Sequence, residues 1–148
     1  MTLWYFALQA LGLVAFAVAL WKGGRVERQA AAVLIVNFLL TIAITLSRSI
    51  HTTKIITVVE GATALVFLWL ALSRQRWWLL AATSGLMLCV FTWAVRLLLP
   101  GIGYETAASA AVGEWALVYL ALMGGALERW LAGETAVSAG RRARQKAT

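Results

Sequence analysis

The chain has 148 residues, of which 62% are hydrophobic and 13% charged, and its formal net charge is +7 at pH 7. Soluble domains are about 45–50% apolar and about 25% charged, so this composition excludes a disordered chain and an ordinary soluble enzyme. A single Cys cannot form an intrachain disulfide, and one His with no Asp supplies neither a catalytic triad nor a clustered metal site. The sequence therefore predicts a non-enzymatic protein that needs no cofactor.

Five stretches of the chain are long and apolar enough to cross a membrane, which takes about 20 mostly apolar residues. The first two contain no charged residue, whereas the next three contain Glu60, Arg96 and Glu114, one in each. Pro100-Gly101 ends the fourth stretch, because this dipeptide breaks helices. The predicted spans cover residues about 3–21, 29–47, 55–73, 77–99 and 106–127.

Short connections separate these stretches, so consecutive helices must run antiparallel. A membrane β-barrel is excluded because its strands alternate apolar and polar residues, whereas these stretches are apolar throughout. The predicted fold class is all-α, a helical membrane bundle of five transmembrane helices. We divide the chain into a transmembrane domain over residues 1–132 and a disordered, basic cytoplasmic tail over residues 133–148.

The basic residues predict the orientation of the bundle, because Lys and Arg in short loops stay on the cytoplasmic side. An outside N-terminus and an inside C-terminus place ten of the 13 basic residues inside and three outside. The charge thus indicates a multi-pass protein of the plasma membrane, with a bacterial inner membrane favoured, rather than a nucleic-acid partner. The inner set is Lys22, Arg25, Arg28, Arg74, Arg76, Arg129, Arg141, Arg142, Arg144 and Lys146, and the outer set is Arg48, Lys54 and Arg96.

Tryptophans are expected at both membrane–water interfaces. The spans place Trp4 near the outer interface, and they place Trp93 and Trp115 deeper, where we expect packing roles. The tryptophans expected at the inner interface are Trp21, Trp69, Trp77, Trp78 and Trp130.

Four of the five spans carry a row of small or polar residues at helical spacing, which places the row on one face. These rows contain Asn37 in the second span, Glu60 in the third, Arg96 in the fourth and Glu114 in the fifth. Small faces let membrane helices approach closely, so we expect the four rows to pack together and the first helix to lie at the periphery. The charges fall in the outer half, which suggests an outward-open polar crevice closed below by Gly and Ala.

The candidate intramembrane polar or ion site has two interpretations. Ionisable residues inside spans are costly and commonly functional. Alternatively, Arg96 forms a structural ion pair with Glu114 or Glu60 that fixes the helix register. The candidate residues are Asn37, Arg48, Lys54, Glu60, Arg96 and Glu114.

Three functions remain open at this point. The favoured hypothesis is an accessory or assembly subunit that contacts the lipid bilayer and a larger membrane complex or further copies of itself. Its helix contacts would use small-xxx-small pairs such as Ser109 and Gly113. The alternative is an oligomeric small-solute or proton-coupled transporter that uses Glu60 and Glu114. The third is a membrane enzyme acting on lipids, which would need a general base and an anion-binding group at the outer interface.

Overall fold

The structure, a computed structural model, describes residues 2–47, 51–99 and 101–133. The predicted basic tail lies outside these residues apart from Gly133, and so does the candidate site residue Arg48. Within the described residues the chain forms five α-helices and no strand, which confirms the predicted all-α bundle. The helices are α1 (Thr2–Lys22), α2 (Arg25–Leu46), α3 (Thr52–Arg74), α4 (Trp77–Leu98) and α5 (Tyr104–Leu131).

Four of the five described helices have the length and composition of membrane spans. Each of α2 to α5 contains an apolar window long enough to cross a bilayer, and α1 has an apolar portion at Phe6–Lys22. Large apolar side chains such as Phe6, Leu72 and Leu98 lie on the bundle surface, where a bilayer would cover them. The chain therefore has the character of a small multi-pass membrane protein, while the orientation and the kind of membrane stay predictions.

The five helices pack as a closed ring in which each helix contacts its neighbours along the chain and α1 contacts α5. The prediction that the first helix is peripheral is wrong. Ala15 and Ala19 of α1 are fully buried, and Gly12 lies directly against the ring of Tyr119 on α5. Small residues on one face of α1 thus let α5 approach closely. Among α2 to α5, α2 has the smallest buried share, and its contact with α5 is small.

One end of the bundle, here called the basic end, is where α1, α3 and α5 finish. Its described basic residues are Lys22, Arg25, Arg28, Arg74, Arg76 and Arg129. Trp78 is fully buried there rather than placed at the interface as predicted, because its ring packs onto Gly125. The other four tryptophans expected at this interface are 57–74% exposed, in agreement with an aromatic belt: Trp21, Trp69, Trp77 and Trp130.

Tight packing closes the half of the bundle that adjoins the basic end. Small and aliphatic side chains of α2 and α5, including Ala30, Leu34, Leu122 and Ala126, have 0–1% of their surface exposed. Lipid tails are as apolar as these side chains, so the helices are held by close van der Waals contact rather than by withdrawal from water. The opposite end, here called the Tyr104 end, is where α5 begins, and it is packed differently.

Candidate functional site

A cavity of about 310 Å³ lies inside the bundle in the half nearer the Tyr104 end. All five helices contribute to its wall. Leu46 and Tyr104, which are 76% and 42% exposed, line it near the surface, whereas Asn37 and Glu60 line it in the interior and are each 2% exposed. Asn37 lies nine residues before the end of α2, which corresponds to a depth of about 14 Å along the helix. The cavity therefore extends from the surface to about mid-bundle.

The wall of the cavity is mainly apolar and aromatic, with a few polar groups. This composition is typical of small-molecule sites, whose volumes range from about 300 to 1,000 Å³. Among the described lining residues, Glu60 is the only Asp, Glu, Lys, Arg or His. The polar members are Gln9, Asn37, Thr41, Thr45 and Glu60, and the aromatic members are Phe38, Trp93, Tyr104, Trp115 and Tyr119.

A line of hydrogen bonds orients the polar face of α2. Thr45 Oγ1 donates to the Thr41 carbonyl at 2.8 Å, and Thr41 Oγ1 donates to Asn37 Oδ1 at 3.3 Å. Asn37 Nδ2 donates in turn to Thr63 Oγ1 on α3 at 2.7 Å. Spacing by four residues stacks these three α2 side chains on one face, as the sequence predicts. The Asn37 amide is thereby held between α2 and α3 at the inner end of the cavity.

Glu60 is a buried carboxylate that no cation neutralises among the described residues. Its polar neighbours are the side chains of Asn37 and Trp115. Its Oε2 atom is buried and has no hydrogen-bond partner among the described residues. An isolated charge in an apolar interior is very costly unless it is paired, coordinated or protonated. The group therefore needs a proton or a cation, and the cavity is the route by which either would arrive.

A second carboxylate, Glu114, lies close enough to Glu60 to interact with it electrostatically. Glu114 Oε1 accepts a hydrogen bond of 2.6 Å from Thr92 Oγ1, and its Oε2 atom has no partner in the described residues. Cys89 is fully buried beside both carboxylates. No group of three His, Cys, Asp or Glu side chains in the described part of the chain is arranged to hold a metal ion. The pair is therefore two acids, one on α3 and one on α5, and of the two only Glu60 lines the cavity.

Arg96 does not join this pair of acids. Its Nη1 atom donates to Thr53 Oγ1 at 2.5 Å, and its guanidinium lies 5.3 Å from the centre of the Tyr104 ring. Over the described residues no salt bridge links Arg96 to Glu60 or Glu114. The structural ion pair that was the alternative interpretation is therefore not formed. Lys54, the remaining basic candidate that is described, is exposed and does not line the cavity. The structure thus brings together Asn37, Glu60 and Glu114 of the six predicted residues.

A further buried acid, Glu27, lies at the basic end and was not predicted from the sequence. Glu27 is fully buried, and its Oε2 atom accepts a hydrogen bond of 2.8 Å from the Gly24 N–H and lies 3.6 Å from Arg129 Nη1. These contacts tie the start of α2 to the end of α5. The available signal was the acid three residues after the N-cap Gly24, the spacing of a capping box.

Comparison of this chain with known protein families, curated proteins and solved structures finds no match. The function must accordingly be argued from the geometry of the cavity and its two acids.

Proposed function

We propose that the chain is a small membrane transport protein that binds a solute in the cavity and exchanges a proton at Glu60. The observation that carries this proposal is a buried carboxylate oxygen without a partner, at the wall of a cavity that extends to the surface. Ionisable groups inside membrane proteins generally mark proton or ion routes when they face a cavity.

Proton release and solute binding are coupled because a proton and a cationic group compete for the one carboxylate of Glu60. Glu60 in this apolar setting is either protonated or neutralised by a positively charged group. A proton and a cationic group cannot occupy it together, so binding of one releases the other. Glu114 on α5 adds a second acid near Glu60, held by Thr92, that can accept the displaced proton.

The packing indicates which part of the bundle would move. The half at the basic end is closed by small buried side chains, so release on that side requires a helix to shift. Among α2 to α5, the helix with the smallest buried share is α2, which also carries Asn37 and the threonines of the cavity wall. We therefore assign the moving role to α2.

The test is infrared difference spectroscopy of the protein in lipid while the pH of the surrounding buffer is changed. Glu60 is expected to give a carboxylic C=O band that appears and disappears reversibly, and the E60Q variant is expected to lose it. The matched control is E105Q, which removes an exposed acid in the first turn of α5 that does not line the cavity. A spectrum that is the same in wild type and E60Q would refute proton exchange at this site.

A second candidate function, the accessory subunit, is favoured by one face of α5. Ser109 and Gly113 are exposed, and a side chain added at Gly113 would meet no atom within 4 Å. Such a small-residue face is suited to contact with another membrane helix. Purification in mild detergent tests it: a G113L variant should lose an associated chain or further copies that the wild type retains. A strictly monomeric wild type with no associated chain would count against this role.

A further inference from the structure

We infer that the ligand of the cavity is a lipophilic, monovalent organic cation. This inference rests on the proposed function of the cavity as a binding site, and it adds the chemical class of the solute. It depends on two independent features of the wall, namely the Glu60 Oε2 atom, which has no hydrogen-bond partner among the described residues, and five aromatic rings.

The charges around the cavity select a cation. Glu60 is the only charged side chain among the described lining residues, and Glu114 on α5 lies near it with the same sign. Cys89 on α4 adjoins both acids and adds no positive charge. Arg96 is directed to Thr53 and to the Tyr104 ring and does not line the wall. An anionic ligand would therefore meet a carboxylate without any counter-charge.

The aromatic rings indicate that the cation is organic. Five rings line the cavity, and a cation held against aromatic faces gains free energy without hydrogen bonds. Two pairs of these rings adjoin each other: the ring centres of Trp93 and Tyr104 are 5.6 Å apart, and those of Trp115 and Tyr119 are 5.5 Å apart. Tyr104 already shows such a contact with the guanidinium of Arg96.

A hard metal cation fits this wall poorly. Such ions require about six oxygen ligands at close range. The described lining is mostly carbon, and the oxygen of Asn37 already accepts a hydrogen bond from Thr41. A quaternary ammonium group needs no such ligand set, since it carries no N–H donor to satisfy. The volume of about 310 Å³ is at the lower end for ligand sites, which favours a cation with a single ring.

The experiment compares benzyltrimethylammonium with its neutral isostere, in which carbon replaces the nitrogen. Each is titrated onto the full chain in lipid nanodiscs, and empty nanodiscs supply the background of partitioning into lipid. The cation should bind wild type at least about tenfold more tightly than the isostere, which corresponds to a free-energy difference of about 1.4 kcal/mol. E60Q should abolish this preference, and E105Q, which lies outside the cavity, should keep it.

A second variant tests the aromatic part of the inference without altering the acid. F38L removes one ring from the wall and keeps an apolar side chain, so it should weaken the cation about two- to fivefold while leaving the isostere nearly unchanged. Equal binding of the two compounds to wild type, or failure of both to bind, would overturn the inference. The infrared band of Glu60 requires no ligand, so a band that persists in that case would leave proton exchange standing.

Discussion

Two glutamates are almost fully withdrawn from the surface, and they differ in what surrounds them. Glu27 accepts a backbone N–H bond from Gly24 and lies 3.6 Å from Arg129, so its charge is compensated. Glu60 has amide and indole neighbours and no described cation. Buried charges persist when they are paired, so Glu27 has a structural explanation and Glu60 does not. The sequence pointed to Glu60 because this acid lies within a predicted span. Only the fold shows that, among the described residues, the charge of Glu27 is compensated and that of Glu60 is not.

Gly125 is expected to be intolerant of a side chain. A Cβ atom added there would lie 2.6 Å from the ring of Trp78, which is fully buried and has no space to withdraw. G125A should therefore lower the free energy of unfolding by about 1–3 kcal/mol, the usual cost of overpacking. Thermal unfolding followed by circular dichroism in detergent measures the effect as a lower Tm.

The matched control is G113A on the same helix. A Cβ atom at Gly113 meets nothing within 4 Å, so this variant should be neutral or more stable by up to about 1 kcal/mol from improved helix propensity. Equal destabilisation by the two substitutions would show that the loss comes from the glycine itself, not from contact with Trp78.

At the scale of the helices, the spacing of small residues identified two packing faces on α5, but it did not identify which helix packs against each face. Ala121 and Gly125 are buried against other helices of the same chain, whereas Ser109 and Gly113, at the same spacing, face outward. A small residue permits close approach and does not specify what approaches. The neighbours of each helix decide this, and they are set by the closure of the ring.

The residue pattern was also an incomplete guide to α1 and α2. It understated the packing of α1 and overstated that of α2. Gly12, Ala15 and Ala19 form the packing face of α1, but no polar residue distinguishes this row in a chain rich in alanine, so the helix was expected at the periphery. The row of α2 stands out because it contains Asn37 and threonines. Those residues line a cavity instead of a tight contact, and α2 consequently has the smallest buried share among α2 to α5.

For the molecule as a whole, the sequence predicted a polar crevice in one half and close packing in the other; the structure has a cavity in that half, but its wall is mainly apolar and aromatic and excludes Arg96 and Lys54. The crevice was argued from the depths of Glu60 and Glu114 and the shallower positions of the basic residues, which helical rise supplies directly. Its aromatic lining was not predicted, because rings such as Phe38, Trp93 and Tyr104 come from three helices and share no sequence period. Convergence of residues from several helices is a property of the fold.

The orientation decides which side of the membrane the cavity faces. Six described basic residues lie at the basic end, against Lys54 and Arg96 toward the other end, so we predict that the Tyr104 end and the cavity face outward. In a C89A background that leaves no native thiol, T45C on the cavity wall should react with a membrane-impermeant maleimide added to intact cells. S73C, which is exposed at the basic end, should react only after the membrane is permeabilised.

The reverse pattern of labelling would place the cavity on the cytoplasmic side and refute the orientation. A reporter fused to the C-terminus gives an independent measurement, since a fluorescent protein that folds only in the cytoplasm should fluoresce there. Protonation of Glu60 from the outer side, with release across the closed half at the basic end, would then make net movement of a cation depend on the proton gradient. The labelling comes before any vesicle assay of that dependence. The expected direction of cation movement relative to the proton gradient follows from which side of the membrane the cavity faces.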